Sequence, residues 1–305
     1  PPKEYNLFCK STPWFMRFRL HHFFLLLLPF LFGSCRDVVS DRPVITVSIE
    51  PLRYFVQSIG GNKFQVNTLV PAGASPETYE LTPQQVVQTS DSRAYFCIGT
   101  LGFEQARLQK LTENAPNLLV VNSSDSIALL QDDHSHSHPQ GHIEGIDLHT
   151  WISATSGKQI AHNVLRALCQ VDSANAEFYQ HRHDSLVQHI DSIDGEIRQI
   201  LRPLAHRTFM IYHPALGYFA RDYGLQQVAV EQDGREPSAD RMQQLILQAQ
   251  RNHVQVVFIQ EEHAGRAARR IAESTGARIV SIAPLSVEWD KQMLHIARTL
   301  VQPPQ

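Results

Sequence analysis

The chain has 305 residues, of which 43% are hydrophobic and 19% are charged, and its formal net charge is -3. This length and composition predict a folded protein large enough for two lobes, each with its own hydrophobic core. The near-neutral charge offers no broad basic surface, which argues against nucleic acid as a partner. Histidine is the unusual component, with 16 copies in the chain.

The first 35 residues have the pattern of a secretory signal. Two arginines precede an apolar segment that is shorter than the ~20 residues needed by a membrane-spanning helix. The segment ends in "GSC", which resembles the lipobox of bacterial lipoproteins, in which the cysteine is acylated. We therefore predict a signal region over residues 1–35, with a start at Met16 and lipidation at Cys35. An ordinary cleaved signal with an incidental cysteine is the alternative.

A polar linker over residues 36–42 leads into a region where apolar segments alternate with helical patterns. The predicted strands are "VITVSI", "FQVNTLV", "AYFCIG" and "NLLVVNS", and the predicted helices are "EPLRYFVQSIGGN", "LTPQQVVQTSDS" and "FEQARLQKLTENA". The second of these helices should begin at the cap residue Thr82, with Pro83 at its first position. The alternation predicts parallel β/α units, and hence an N-terminal lobe over residues 43–172.

A histidine-rich loop over residues 132–146 interrupts this lobe. Its histidines stand close together beside two aspartates: His134, His136, His138 and His142. Neutral imidazoles bind zinc near neutral pH, so the loop is predicted to collect metal. Its affinity should be lower than that of an ordered site, because ordering the loop costs conformational entropy. A solubilising loop without any metal role is the alternative.

A long helical pattern follows, and then the β/α rhythm resumes. Apolar residues recur every three or four positions and form one stripe: Leu186, Ile190, Ile193, Ile197 and Leu201. We predict a linking helix over residues 173–203 and a C-terminal lobe over residues 204–305, with strands "TFMIYH", "LQQVAVE", "VQVVFIQ" and "ARIVSIA". The predicted fold class is therefore α/β, with two β/α lobes of mostly parallel strands joined by one long rigid helix.

Ligands of open α/β sheets bind beyond the carboxyl ends of the strands. The residues predicted to lie there are Glu77, His149, His213 and the stretch from Gln260 to His263. Neither a Gly-x-Ser-x-Gly elbow nor a phosphate-binding glycine loop is present in the sequence, so it favours a binding role over catalysis. Cys97 and Cys169 lie in apolar segments that are typical of buried free thiols, although the sequence leaves their pairing open.

Five motifs together point to a family: "GASPETYE", "AYFCIGTLGFEQARLQKL", "IDLHTWISA", "YHPALGYFARDYGL" and "EPSADRMQQLI". Their order and spacing resemble the metal-binding substrate-binding proteins of bacterial ABC importers for zinc, manganese and iron. The resemblance extends from Val44 to Val301 and implies a metal site between the two lobes. It also implies a monomeric, non-enzymatic protein that captures Zn²⁺ in the periplasm or at the outer face of the cytoplasmic membrane. A lipid anchor would hold it there, and its partners would be an ABC permease and the ATPase subunit of that permease.

The resemblance also implies a ligand set. His149 matches the histidine of the family motif Asp-Pro-His-x-Trp, with Leu148 in place of the proline. His213 matches the histidine of His-Pro-Ala-x-Gly-Tyr-Phe, and Glu77 stands where the family usually has histidine. The fourth position, an aspartate in many members, is Ala283 here. Candidates for an additional ligand follow a predicted strand of the second lobe, although a solvated helix start is the alternative for each: Glu261, Glu262 and His263.

Several alternatives remain open for the function. Two histidines and one carboxylate form a common zinc site, but they also suit ferrous iron. A Mn²⁺ or Fe²⁺ binder of the same family is therefore an alternative, favoured by Glu77 and opposed by the histidine-rich loop, which is typical of zinc members. A zinc-dependent hydrolase could use the same ligands, although the motif His-Glu-x-x-His is absent from the sequence. A metal-sequestering adhesin lipoprotein without a transporter is a third alternative.

Overall fold

A computed structural model describes residues 42–131, 145–231, 234–263 and 265–302. The first lobe is built on four short strands: β1 Val44–Val47, β2 Gln65–Thr68, β3 Ala94–Cys97 and β4 Leu119–Asn122. They form one sheet in the order β2-β1-β3-β4, and every pairing is parallel. All four residues of β3 are buried, as expected for a strand covered by helices on both faces of a parallel sheet.

The helices of this lobe begin where the sequence signals predict. They are α1 Glu50–Gly60, α2 Pro83–Ser90, α3 Gly102–Asn114 and α4 Ala154–Val171. Thr82 caps α2: its hydroxyl accepts the backbone N–H of Gln85, and the side chain of Gln85 accepts the N–H of Thr82 at 3.0 Å. This reciprocal pair satisfies N–H groups that lack a partner within the helix. The predicted cap at Thr82 is confirmed.

The second lobe repeats the arrangement of the first. Its strands are β5 Thr208–Ile211, β6 Gln226–Ala229, β7 Val256–Gln260 and β8 Arg278–Ile282. They pair in parallel in the order β6-β5-β7-β8, which is the same topology as that of the first sheet. Its helices are α6 Gly217–Tyr223, α7 Ala239–Arg251, α8 Arg266–Thr275 and α9 Trp289–Val301. The predicted two-lobed α/β fold is therefore confirmed.

Helix α5, Ala176–Leu201, connects the lobes. The residues of its predicted apolar stripe are all buried: Leu186, Ile190, Ile193, Ile197 and Leu201. The helix packs against α1 and α4 of the first lobe and against α9, which follows the last strand of the second. At the start of α9, the ring of Trp289 lies 5.2 Å from the ring of Phe55 in α1. The connection is thus a packed helical layer rather than a single exposed rod.

Two further observations concern the described part of the chain. None of its helices combines the length and the apolar character needed to cross a lipid bilayer. Cys97 and Cys169 are both free thiols there, the first buried and the second partly exposed. The exact boundaries of the lobes remain predictions. Helix α9 follows β8 of the second lobe, but it also packs against α5 and, through Trp289, against α1 of the first lobe.

The apolar stripe of α5 provides a stability test. Ile190 is fully buried, so Ile190→Ala should lower the free energy of unfolding by about 2–5 kcal/mol through lost burial and a residual cavity. Gln188 is exposed on the same helix, and Gln188→Ala should change the free energy by no more than about 0.5 kcal/mol. Urea unfolding monitored by circular dichroism measures both variants. Equal losses would contradict the packing of α5 described above.

Candidate metal centre

Three side chains from different parts of the chain converge at the carboxyl ends of the strands. Glu77 lies in the loop between β2 and α2, His149 lies between β4 and α4, and His213 follows β5. Their ligand atoms all lie within 4.8 Å of one another. Both histidines are buried, whereas the side chain of Glu77 is 28% exposed. The structure thus brings together the three residues that the sequence singled out.

The distances between the three ligand atoms are short. Nε2 of His213 lies 3.0 Å from Oε1 of Glu77 and 3.2 Å from Nε2 of His149. Nε2 of His149 lies 3.8 Å from the same oxygen of Glu77. Two imidazole nitrogens and one carboxylate oxygen therefore face a common point, an arrangement that suits a bound cation.

The backbone of His213 is fixed by a buried amide. Gln260, the last residue of β7, is fully buried. Its Oε1 accepts the backbone N–H of His213 at 3.3 Å, and its Nε2 donates to the carbonyl oxygen of His213. Because β5 and β7 are neighbours in the sheet, this amide connects the segment that follows β5 to the end of β7. The backbone position that carries the imidazole of His213 is therefore fixed.

A carboxylate stands behind each histidine. Oδ1 of Asp147 lies 2.9 Å from Nδ1 of His149 and also accepts the backbone N–H of His149 at 2.9 Å. Oε1 of Glu231 lies 2.6 Å from Nδ1 of His213. A carboxylate that accepts the Nδ1 proton leaves Nε2 directed at the centre and raises the basicity of the ring.

Sequence reasoning did not identify these two carboxylates. Asp147 offered a local signal, since an aspartate two residues before a histidine can accept the backbone N–H of that histidine. Glu231 follows β6, and its role depends on the pairing of β6 with β5, which the sequence alone does not give. Glu80, the last residue of the motif "GASPETYE", is exposed.

The charges around His213 change its protonation. Burial by itself would lower the pKa of His213, but the carboxylates of Glu77 and Glu231 outweigh burial and hold the pKa well above its usual range. In the metal-free protein, His213 therefore retains its proton at neutral pH and pairs with a carboxylate at each ring nitrogen. A metal ion that binds Nε2 must displace that proton.

The candidates for an additional ligand differ in position. Glu262 and His263 line the same cavity as the three central residues, whereas Glu261 is exposed and does not contribute to the lining. The ring of His263 stacks on that of His213, with centroids 5.0 Å apart and planes at 26°. Burial lowers the pKa of His263, and the charge of His213 lowers it further. Burial raises the pKa of Glu262.

Ala283, the remaining predicted position among the described residues, adds no ligand atom to the site. Ala283 ends in a methyl group, and the two residues after it, Pro284 and Leu285, give the cavity an apolar wall. Cys35 and four histidines of the histidine-rich loop lie outside the described residues: His134, His136, His138 and His142. The described residues that flank this loop are joined by an antiparallel bridge between Gln131 and Ile146.

Fold and site together define a class of protein: a two-lobed α/β binding protein with a small cation site between its lobes. Comparison with known proteins identifies the family. The model for the periplasmic component A of the zinc-uptake complex, ZnuA, matches residues 45–302, and the chain belongs to this family. The predicted relationship to the metal-binding proteins of ABC importers is therefore confirmed.

Individual relatives agree with this assignment. A solved structure of ZnuA has 34% sequence identity and a TM-score of 0.79, and the match covers 87% of this chain and 100% of that one. The zinc-uptake protein ZnuA of Bacillus subtilis (strain 168) is 23% identical over 249 residues, which is 79% of this chain and 78% of that protein. The zinc-binding protein AdcA of Streptococcus pyogenes serotype M3 (strain ATCC BAA-595 / MGAS315) is 21% identical over 277 residues, or 85% of this chain. This chain spans about half of the length of AdcA, 54%.

The raised pKa of His213 predicts a pH dependence of stability in the metal-free protein. Because the folded-state pKa is raised, the stabilising contribution of His213 is fully present below its unfolded-state pKa of about 6.5 and is lost as pH rises through the folded-state pKa. Glu231→Gln removes one of the carboxylates that raise this pKa, so the loss should begin at lower pH. NMR titration of the ring and urea unfolding in the presence of a chelator measure these effects. Glu80→Gln is the control, and an equal effect of both substitutions would contradict the assignment.

Proposed function

We propose that this protein captures Zn²⁺ outside the cytoplasmic membrane and delivers it to an ABC permease that is driven by a separate ATPase subunit. The observation that supports the proposal most directly is the convergence of Glu77, His149 and His213 on one point between the lobes. Membership of the zinc-uptake family supports the same role. In this role the protein makes and breaks no covalent bond, and the metal ion is its cargo.

The spacing of the three ligand atoms is compatible with zinc. Zinc holds imidazole and carboxylate ligands at about 2.0–2.2 Å in a tetrahedron, so neighbouring ligand atoms lie about 3.3–3.6 Å apart. The separations in this protein are 3.0, 3.2 and 3.8 Å, which lie close to that range. Small side-chain movements would allow these residues to bind zinc. Water, Glu262 or His263 would then fill the fourth position.

The composition of the ligand set also favours zinc over manganese. Mn²⁺ prefers oxygen ligands, whereas imidazole suits zinc and iron. The chain offers two imidazoles and one carboxylate, and Ala283 removes the oxygen that an aspartate would supply. The histidine-rich loop, through its composition, supports zinc as well. Ferrous iron also accepts imidazole and carboxylate ligands, so this ligand set discriminates less between zinc and ferrous iron than between zinc and manganese.

Metal competition tests the proposal. Isothermal titration of the metal-free protein with Zn²⁺, Mn²⁺ and Fe²⁺ should give the tightest binding for zinc, with a proton released from His213 on binding. The released proton is measured from the dependence of the heat on the ionisation enthalpy of the buffer. Tight manganese binding with weak zinc binding would reverse the proposed specificity. Turnover of ester or peptide substrates by the zinc-loaded protein would instead support the hydrolase alternative.

Delivery and anchoring need experiments in the cell. We propose that Cys35 is acylated and holds the protein at a membrane, and the sequence pattern of residues 1–35 supports this. Mass spectrometry of the membrane-derived protein tests the acylation. If the protein restores growth under zinc limitation only when the permease is present, it acts in transport. A metal-sequestering adhesin would not require the permease.

The cleft and the histidine-rich loop should contribute unequally to zinc binding. His149→Ala removes a ligand of the cleft, so it should weaken the tight site by more than the roughly 10–100-fold typical of losing an outer partner. The exposed His206 provides a matched control, since His206→Ala removes a histidine remote from the three ligands and should leave the affinity unchanged. Zinc titration with a competing chelator measures both affinities.

The flanking bridge allows the loop to be removed cleanly. Replacing residues 132–144 by a single asparagine leaves an Asn-Gly pair between Gln131 and Ile146, with Gly145 already at a φ of 78°. Asn-Gly is the favoured two-residue connection between antiparallel segments. This variant should retain one tight zinc site and lose weaker binding only. Equal losses of tight binding in this variant and in His149→Ala would contradict the assignment of tight zinc binding to the cleft and of weaker binding to the loop.

A further inference from the structure

The start of α6 contacts two chain segments that flank the histidine-rich loop. Tyr218 is fully buried, and its hydroxyl oxygen accepts the backbone N–H of Leu130 at 3.1 Å. The same hydroxyl donates to the carbonyl oxygen of Asp147 at 2.9 Å. The two segments also bond to each other, since the N–H of Asp147 donates to the carbonyl oxygen of Leu130 at 3.0 Å. A single phenol of the second lobe therefore joins two segments of the first lobe.

The residue before this tyrosine packs on the same aspartate. A Cβ atom added to Gly217 would overlap Oδ2 of Asp147, so the close approach of α6 requires glycine there. The start of α6 is itself fixed within the second lobe, because the N–H of Leu216 donates to Oε1 of Gln227 at 2.7 Å. The second lobe thus holds the backbone of Asp147 through Tyr218, and the carboxylate of Asp147 lies against Gly217.

Asp147 transmits this position to a ligand of the candidate metal centre. Its Oδ1 accepts both the backbone N–H and the Nδ1 proton of His149. Burial raises the pKa of Tyr218 to about 12, so its hydroxyl retains the proton that it donates to Asp147. Tyr218 is therefore hydrogen-bonded to the backbone of Asp147, and the side chain of the same aspartate is hydrogen-bonded to the imidazole of His149.

We propose that Tyr218 is a positioning residue for His149 and that it acts through Asp147. The inference rests on the proposed function, because its effect is on cation binding. Loss of the hydroxyl would leave the N–H of Leu130 and the carbonyl of Asp147 without this partner. The carboxylate of Asp147 would then occupy a wider range of positions, and the ring of His149 would be held less firmly. Zinc would dissociate faster from such a site.

Tyr223 offers a matched control on the same helix. It is also buried, and its hydroxyl donates to Oδ1 of Asp194 in α5 at 2.9 Å. Asp194 is not among the residues that line the cavity with the three proposed ligands. Tyr218→Phe and Tyr223→Phe therefore each remove one hydroxyl and one hydrogen bond to an aspartate, and Tyr218→Phe also removes the bond from the N–H of Leu130. A purely structural role predicts similar consequences for both variants.

Zinc affinity and cobalt spectroscopy distinguish the two roles. Tyr218→Phe should weaken zinc binding about five-fold through faster dissociation, less than the roughly 10–100-fold expected when a direct outer partner is lost. Tyr223→Phe should leave the affinity unchanged. The visible absorption bands of bound Co²⁺, which report ligand geometry, should shift in Tyr218→Phe and remain unchanged in Tyr223→Phe. Equal effects of the two variants would overturn the positioning role.

A double-mutant cycle tests whether Asp147 mediates the effect. In the background Asp147→Ala, Tyr218→Phe should cause no further loss of zinc affinity, because the carboxylate that it positions is gone. A loss of the same size in both backgrounds would overturn the proposed path. A folded wild-type protein that binds no zinc would overturn this inference and the proposed function together. Normal wild-type binding with an unaffected Tyr218→Phe would overturn the inference alone.

Discussion

The geometry of the cleft depends on a pair of tryptophans that join the lobes beside it. The indole N–H of Trp151 donates to the carbonyl oxygen of Pro284 at 2.9 Å, and its own carbonyl accepts the indole N–H of Trp289 at 2.6 Å. Both indoles are almost completely buried, so each N–H must find its acceptor inside the protein. His149 lies two residues earlier, with its ring 5.2 Å from that of Trp151. This junction therefore joins the segment that carries His149 to the second lobe directly beside the three ligand atoms.

Charge is the second constraint on the cleft. Three carboxylates surround two imidazoles in a largely buried space: Glu77, Asp147 and Glu231. Negative charge held away from water is costly unless a cation neutralises it. In the metal-free protein the proton on His213 supplies part of that compensation, and a divalent ion supplies more. Proton and metal therefore compete for the same nitrogen, and the outcome depends on the pH of the surroundings.

Much of this organisation could be predicted from the sequence. The start of α1 at Glu50 and the cap of α2 were predictable because apolar periodicity and capping are local properties. The three central residues were found because each lies within a motif of the family that the chain resembles, in a segment between a strand and the next helix. Glu231 was missed because its partner depends on strand order, which is a long-range property. Glu261 and Glu262 could not be separated, since one bend of the chain after β7 directs the first to solvent and the second to the cavity.

The repeated topology of the two sheets has a consequence for how the ligand set can vary. Glu77 follows β2 and Glu231 follows β6, and these strands occupy the same edge in their respective sheets. Equivalent places thus hold two carboxylates with different tasks, one facing the proposed cation and the other supporting an imidazole. Both carboxylates lie in loops, where substitutions leave the hydrogen bonds of the sheets intact. Exchanging loop residues, such as those at positions 77 and 283, can therefore change the set of side chains at the site while the two sheets stay the same.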